Sequence, residues 1–97
     1  MESLSESEIK VYLKGPLTSW EWSGDKLHRK LEFRDFRQAM SFMVEVGFSA
    51  EEQGHHPDLR NTFNKVNISL ATHDVGGKVT EKDVRLAKAI EEIYSNY

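Results

Sequence analysis

The sequence predicts an α+β domain: two layers in the order α-ββ-α-ββ-α, with a four-stranded antiparallel sheet and three helices packed on one face. Three observations lead there. Three segments open with matched capping signals, and the gaps between them hold paired stretches of period-two alternation around short turn sequences. The chain of 97 residues is long enough for one modest core and too short for two, so residues 1–97 are expected to form a single domain. Antiparallel strands joined by tight turns leave one face for helices to cover and the other for solvent.

The first helix begins in Leu4-Ser5-Glu6-Ser7-Glu8-Ile9. Ser5 is its cap, Glu8 reaches back to close the capping box, and Leu4 can staple onto Ile9. It is expected to run to about Lys14 and to stop at Gly15-Pro16. Strands over Thr18–Ser23 and Lys26–Phe33 follow, turning at Gly24-Asp25, the second with Leu27, Arg29, Leu31 and Phe33 alternating against polar neighbours. Asp35 caps a second helix with Gln38 three residues on, and Gly54 supplies a left-handed end. A second strand pair spans Asp58–Phe63 and Val66–His73, with its turn at Asn64-Lys65. Its last strand sets Val66, Ile68 and Leu70 on one face and Asn67, Ser69, Ala71 and His73 on the other. Thr80, with Asp83 in the third position and Val79 and Val84 as staple, opens a final helix to near Tyr94.

The middle helix carries more apolar surface than one face needs. Phe36, Ala39, Met40, Met43, Val44, Gly47 and Ala50 form a stripe, and Phe42 and Val46 widen it by about 100°, roughly double the usual arc. Two readings stand: this is simply the most buried helix of a small domain, or its outer edge, at Phe42 and Val46, meets another subunit.

Composition removes several classes of function. Apolar residues make up 38% and charged residues 30%, an ordinary globular balance. The net charge is -3, with 13 basic residues scattered among 16 acidic ones, so no basic stripe exists for direct nucleic-acid binding. The absence of cysteine removes disulfides, thiolate nucleophiles and cysteine-ligated zinc together. The segment from Met1 to Lys10 is polar and acidic, unlike a signal or transit peptide, and no apolar run approaches membrane-spanning length. The expectation is a cytoplasmic enzyme or binding module with no membrane partner.

Three of the four histidines gather at two points in the chain. His55-His56-Pro57 leaves the middle helix, and His73 ends the last strand on the face away from the inferred core. Adjacent residues on an extended segment point in opposite directions, so His55 and His56 need not share one role. Imidazole is the side chain best able to give and take protons near neutral pH. The alternatives are solvated loop histidines or a zinc site. Zinc is disfavoured because no HExxH-type spacing is present and adjacent histidines rarely ligate one ion.

The spacing is specific. Glu51 precedes His55 by four positions; after Pro57 come five residues, then Phe63, nine more, His73, nine more, and Asp83. With Asn64-Lys65-Val66, Thr72-His73-Asp74-Val75-Gly76-Gly77, and upstream Trp20, Leu27, Arg29, Phe33, Asp35-Phe36, Ala39 and Phe42-Met43, the chain resembles the pterin-4a-carbinolamine dehydratase (dimerisation cofactor) family from about Trp20 to Ile90.

That resemblance implies the α+β fold above and the dehydration of 4a-hydroxytetrahydropterins to quinonoid dihydropterins, the step that recycles tetrahydrobiopterin for aromatic amino-acid hydroxylases. The family's three histidines fall on His55, His56 and His73. Its pocket falls on Gly54 to His56 and Ala71 to Asp74, which adds Gly54, Ala71, Thr72 and Asp74, with Glu51 beside them, as expected substrate-binding residues. The pterin is itself the substrate, so neither cofactor nor metal is implied. His55 and His73 are assigned acid-base work and His56 the holding of the pterin.

Glu51, one helical turn before His55, either orients that imidazole or is a solvated helix-end carboxylate. Asp83 reads as structural because of its capping box. Asp74 either binds substrate or shapes the Gly76-Gly77 turn. His28 reads as solvated, and the Asn67-Ile68-Ser69 sequon is discounted. Members of the family often carry an aromatic where Leu59 stands and Tyr or Trp where Phe63 stands, so Phe63 is expected to cost the pocket one hydrogen bond. The resemblance also implies a homo-oligomer, a tetramer built as a dimer of dimers. Some members bind a homeodomain transcription factor, an interaction role that would add the nucleus to its locations.

Overall fold

The computed structural model describes residues 2–97. Its elements are α1 (Glu6–Lys14), β1 (Glu21–Ser23), β2 (Lys26–Glu32), α2 (Phe36–Gln53), β3 (Asp58–Thr62), β4 (Lys65–Leu70), a 3₁₀ turn (His73–Val75) and α3 (Glu81–Tyr94). The strands form one antiparallel sheet in the order β1-β2-β4-β3.

The helix starts follow from their caps. Ser5 Oγ accepts from the Glu8 amide at 3.2 Å while Glu8 Oε1 takes the Ser5 amide at 2.9 Å. Asp35 Oδ1 accepts from the Gln38 amide at 2.8 Å, and α2 ends where Gly54 turns left-handed at φ 64°. Leu27 and Leu31 of β2 and Val66, Ile68 and Leu70 of β4 are buried in one core with Ile9, Leu17, Leu86 and Ile90. The intervening residues, among them Lys26, His28, Lys30, Asn67, Ser69, Asp58 and Arg60, are exposed or half-buried, so the other sheet face is open.

Several boundaries differ from the sequence expectation. β1 is confined to Glu21–Ser23 because the residues before it belong to the turn out of α1, where the Leu17 amide bonds Tyr12 O and the Trp20 amide bonds Leu17 O, each at 3.0 Å. The second hairpin turns on Phe63-Asn64, one residue earlier than expected, with Phe63 at φ 51°. Asn64 is held there by Phe33: the Phe33 amide donates to Asn64 O and Asn64 Nδ2 donates to Phe33 O, both at 2.8 Å. β4 stops at Leu70, so His73 opens a 3₁₀ turn rather than ending a strand.

The α2 helix is rotated from the expected phase, so that Phe36, Met40 and Val44 of the expected stripe turn outward while Ala39 and Ala50 stay inward. Phe42 and Val46 are fully buried, with Ala39 and Ala50, and the Phe42 ring lies 4.9 Å from Phe33 and 6.0 Å from Tyr94. The outward residues are Phe36, Met40, Val44 and Phe48, spaced by four and 48%, 41%, 52% and 68% exposed. Both arcs of the helix are apolar, so periodicity shows the excess without its phase; the aromatic partners, Phe33 just after β2 and Tyr94 of α3, set the phase.

Candidate active site

The left-handed Gly54 ends α2 one residue before the histidine pair, and Pro57 carries the chain into β3. The side chains of His55 and His56 then diverge. His55 turns inward: its side chain is 11% exposed, and its Nε2 lies 2.6 Å from Oδ1 of Asp83, which is fully buried. His56 turns outward: its Nε2 lies 2.8 Å from Glu51 Oε1, with the two side chains 68% and 78% exposed.

Asp83 is held by an ordered set of donors. Its Oδ2 accepts from Thr72 Oγ1 at 2.8 Å and from the Thr80 amide at 2.9 Å. The Thr72 hydroxyl hydrogen is committed to the carboxylate, so the Thr80 hydroxyl donates to Thr72 Oγ1 at 2.8 Å, and Thr80 Oγ1 in turn receives the Lys82 amide at 3.2 Å. Every link runs toward the carboxylate, which keeps one lobe for His55. A carboxylate only accepts, so His55 carries a hydrogen on Nε2, and whenever its ring is neutral the lone pair is on Nδ1.

His73 is exposed and starts the 3₁₀ turn, inside a loop closed by the Thr72–Lys78 bridge. Gly76 and Gly77, both at φ 75°, make that loop a turn, as the glycine pair suggests. A cleft of about 360 Å³ is lined by Gly54, His55, His56, Pro57, Asp58, Ala71, Thr72, His73, Asp74 and Lys82. All three histidines therefore border one space, together with Gly54, Ala71, Thr72 and Asp74.

Four sequence expectations are corrected here. Glu51 pairs with His56 and not with His55, because the left-handed Gly54 breaks the helical phase that would stack residues four apart. Asp83 does complete the Thr80 capping box, yet its other oxygen holds His55, so one carboxylate serves both the cap and the cleft. His28 is half-buried and bonded on both ring nitrogens, to Ser69 Oγ at 2.9 Å and Ser23 O at 3.0 Å. Phe63 is 66% exposed in the β3–β4 turn, at the far end of β3 from His56, and does not line the cleft. Sequence reasoning missed Asp58 and Lys82 in the lining; only their adjacency to Pro57 and Asp83 marked them. Among the described residues, no group of three or more His, Asp or Glu side chains is placed to hold a metal ion.

An open antiparallel sheet backed by three helices, with a polar cleft edged by three histidines, makes this a two-layer α+β domain with its imidazoles gathered at one site. The family model for pterin 4 alpha carbinolamine dehydratase matches residues 2–93, and the chain belongs to that family. A relative from Opitutus terrae, provisionally named pterin-4-alpha-carbinolamine dehydratase, is 48% identical over 93% of this chain and 92% of its own length. One from Christiangramia forsetii with the same provisional name is 45% identical, covering 96% and 94%. Among solved structures, a transcriptional coactivator/pterin dehydratase from Brucella melitensis superimposes with a TM-score of 0.89 at 34% identity, covering 95% of this chain and 98% of that one. A pterin dehydratase-like RuBisCO assembly factor of the alpha-carboxysome shares the fold, with a TM-score of 0.66 at 23% identity.

Proposed function

We propose that this chain dehydrates 4a-hydroxytetrahydrobiopterin to quinonoid dihydropterin and water, in tetrahydrobiopterin recycling. The carrying observation is that His55, His56 and His73 border one cleft while a buried carboxylate lies 2.6 Å from one of them at Nε2. Loss of the 4a-hydroxyl needs a proton on the departing oxygen and the removal of one from a ring nitrogen as the carbon–oxygen bond breaks. His55 suits the removal. The Asp83 carboxylate fixes its hydrogen on Nε2, leaves Nδ1 to take the proton, and stabilises the imidazolium that results. His73 delivers the proton to the hydroxyl. His56, steered by Glu51, holds the pterin, with the backbone around Gly54 and from Ala71 to Asp74 shaping the pocket. Ultraviolet stopped-flow measurement of 4a-hydroxytetrahydropterin breakdown tests this directly. The protein should accelerate decay of the carbinolamine, and a rate equal to the buffer control would overturn the assignment.

The working form in this proposal is a cytoplasmic homotetramer, a dimer of dimers. The strands β1 and β3 are sheet edges with free backbone groups, which pairing across a two-fold axis would satisfy. The apolar stripe from Phe36 to Phe48 gives a second, separate surface of a kind soluble monomers rarely leave uncovered. The same stripe supports a second reading, since the Brucella melitensis protein is described as a transcriptional coactivator as well as a pterin dehydratase. A transcription-factor helix docking on α2 would compete with the second pair of subunits for that stripe.

A further inference from the structure

The histidine cleft opens along the uncovered sheet face into a second one of about 460 Å³, which shares His56, Asp58, Ala71 and His73 with it and adds Lys26, Ser69 and Gly77. Strand register builds the floor of this extension. Ser69 of β4 is paired with Asp58 of β3 on one side and His28 of β2 on the other, so the three form one row across the sheet. Lys26 stands two residues from His28 on the same face of β2. Ala71 and Gly77 leave room above the strand ends.

Hydrogen-bond polarity on that floor follows from one fixed acceptor. Ser23 O can only accept, so the hydrogen of His28 is on Nε2, 3.0 Å away. Nδ1 of the neutral ring is then an acceptor, and Ser69 Oγ, 2.9 Å from it, must donate to it. Ser69 therefore turns only lone pairs toward the cleft. Asp58 offers a second acceptor, shared with Arg60 at 3.6 Å, and the Lys26 ammonium is the donor. One donor beside two acceptors suits a ligand that both gives and receives hydrogen bonds, as adjacent hydroxyl groups do. A carboxylate or phosphate would satisfy Lys26 but would face the Asp58 carboxylate and the Ser69 lone pairs. An alkyl group would satisfy none of them.

We propose that Lys26, Ser69 and Asp58 form a specificity subsite that reads hydroxyl groups on the substituent of the pterin ring, with His28 as the positioning residue that makes Ser69 an acceptor. The inference rests on the dehydratase reading, because it is the ring held by the histidines that points its substituent along the sheet.

The test is a comparison of kcat/KM for three 4a-hydroxytetrahydropterins that differ only at position 6: 1,2-dihydroxypropyl, methyl and carboxyl. The wild-type protein should prefer the diol to the methyl compound about tenfold, the scale of one or two hydrogen bonds to partly solvated groups, expressed mainly in KM. The carboxyl compound should be the poorest of the three. Lys26→Met and Ser69→Ala should each bring the diol-to-methyl ratio toward one. His28→Phe should do the same, while His28→Gln, which can still donate to Ser23 O and accept from Ser69, should restore it. Each ratio is taken within one preparation, so a fraction of a variant that fails to fold cancels. A wild-type ratio near one, a ratio unchanged in Lys26→Met and Ser69→Ala, or a preference for the carboxyl compound overturns the subsite while leaving the dehydratase reading in place. No turnover of any of the three overturns the dehydratase reading and the subsite with it.

Discussion

His55 and His56 are consecutive in the chain, yet the protein gives them opposite environments. His55 is nearly enclosed and bonded to a fully buried carboxylate, which four further donors from Thr72, Thr80 and Lys82 hold directly or through a relay. His56 stands in solvent beside a carboxylate that is itself mostly exposed. The distances to the carboxylates are close to equal, 2.6 and 2.8 Å, so distance does not separate them. What separates them is preorganisation. The inner pair is fixed by its surroundings before any substrate arrives, whereas the outer pair holds two long, solvated side chains against their own rotamer entropy. The proposed base belongs on the first kind of pair, and adaptable contact with a ligand on the second.

The largest expected effect tests the proposed acid-base pair, the enclosed His55 and the exposed His73. His55→Ala and His73→Ala should each lower kcat by roughly 10²-fold or more, the usual scale for a positioned acid or base, with secondary structure by circular dichroism unchanged. Wild-type-like turnover of either variant under saturating substrate would remove it from the acid-base pair.

Asp83 sharpens the comparison next. Asp83→Asn keeps the shape, but while its carbonyl oxygen serves Thr72 and Thr80 it presents an amide donor to the Nε2 hydrogen of His55. The ring must then change tautomer or lose its partner, and kcat should fall by at least about tenfold. A role exerted through His55 predicts that the double variant His55→Ala/Asp83→Asn is no slower than His55→Ala alone; multiplicative losses would show instead that Asp83 acts separately. Asp83→Ala should in addition lower stability by about 3 kcal/mol, since it breaks a buried pair and leaves the Thr72 hydroxyl and the Thr80 amide without their acceptor. Urea unfolding with an unchanged m-value is the check.

How much of this is legible in the sequence depends on whether the information is local. Caps at Ser5, Asp35 and Thr80 and the left-handed Gly54 rest on contacts within a few residues and appear as expected, and the two strand pairs form where expected but with shifted ends. The errors concern partners distant in the chain. Asp83 announces its cap three residues away but not its bond to His55, 28 positions earlier. His28 looks solvated until β2 is registered against β4 and Ser69 arrives beside it, 41 positions on. Glu51 illustrates the converse: an i,i+4 rule fails across a glycine that the sequence itself marks as a helix end. The phase of α2 is hidden because both of its arcs are apolar, and only the rings of Phe33 and Tyr94 choose between them.

The two arcs of α2 yield a contrast of their own. Val44→Glu places a charge in the exposed stripe and should halve the mass seen by light scattering, from about four chains to two, while the fold persists. Phe42→Glu would bury a charge among Phe33, Tyr94 and Tyr97 and should unfold the protein rather than split it. A wild-type mass of one chain that is unchanged on dilution would exclude the tetramer and leave the stripe free for a different partner.

The smallest effect is expected at the exposed pair. Glu51→Gln removes the charge that steers His56 while retaining an acceptor of the same length. A contact between side chains 68% and 78% exposed contributes about 0–1 kcal/mol, so KM for the pterin should rise no more than about fivefold and kcat should hardly move. His56→Ala takes away the contact itself and should raise KM further. Because the pair is solvated, the Glu51→Gln effect should shrink as ionic strength rises from about 0.01 M to 1 M, over which the screening length falls from about 30 to 3 Å. The Asp83→Asn effect, screened by burial, should persist across the same range. A Glu51→Gln loss as large as that of Asp83→Asn, and equally indifferent to salt, would mean that the outer pair becomes enclosed in the working enzyme, and the distinction between the two histidines would have to be redrawn for the substrate-bound state.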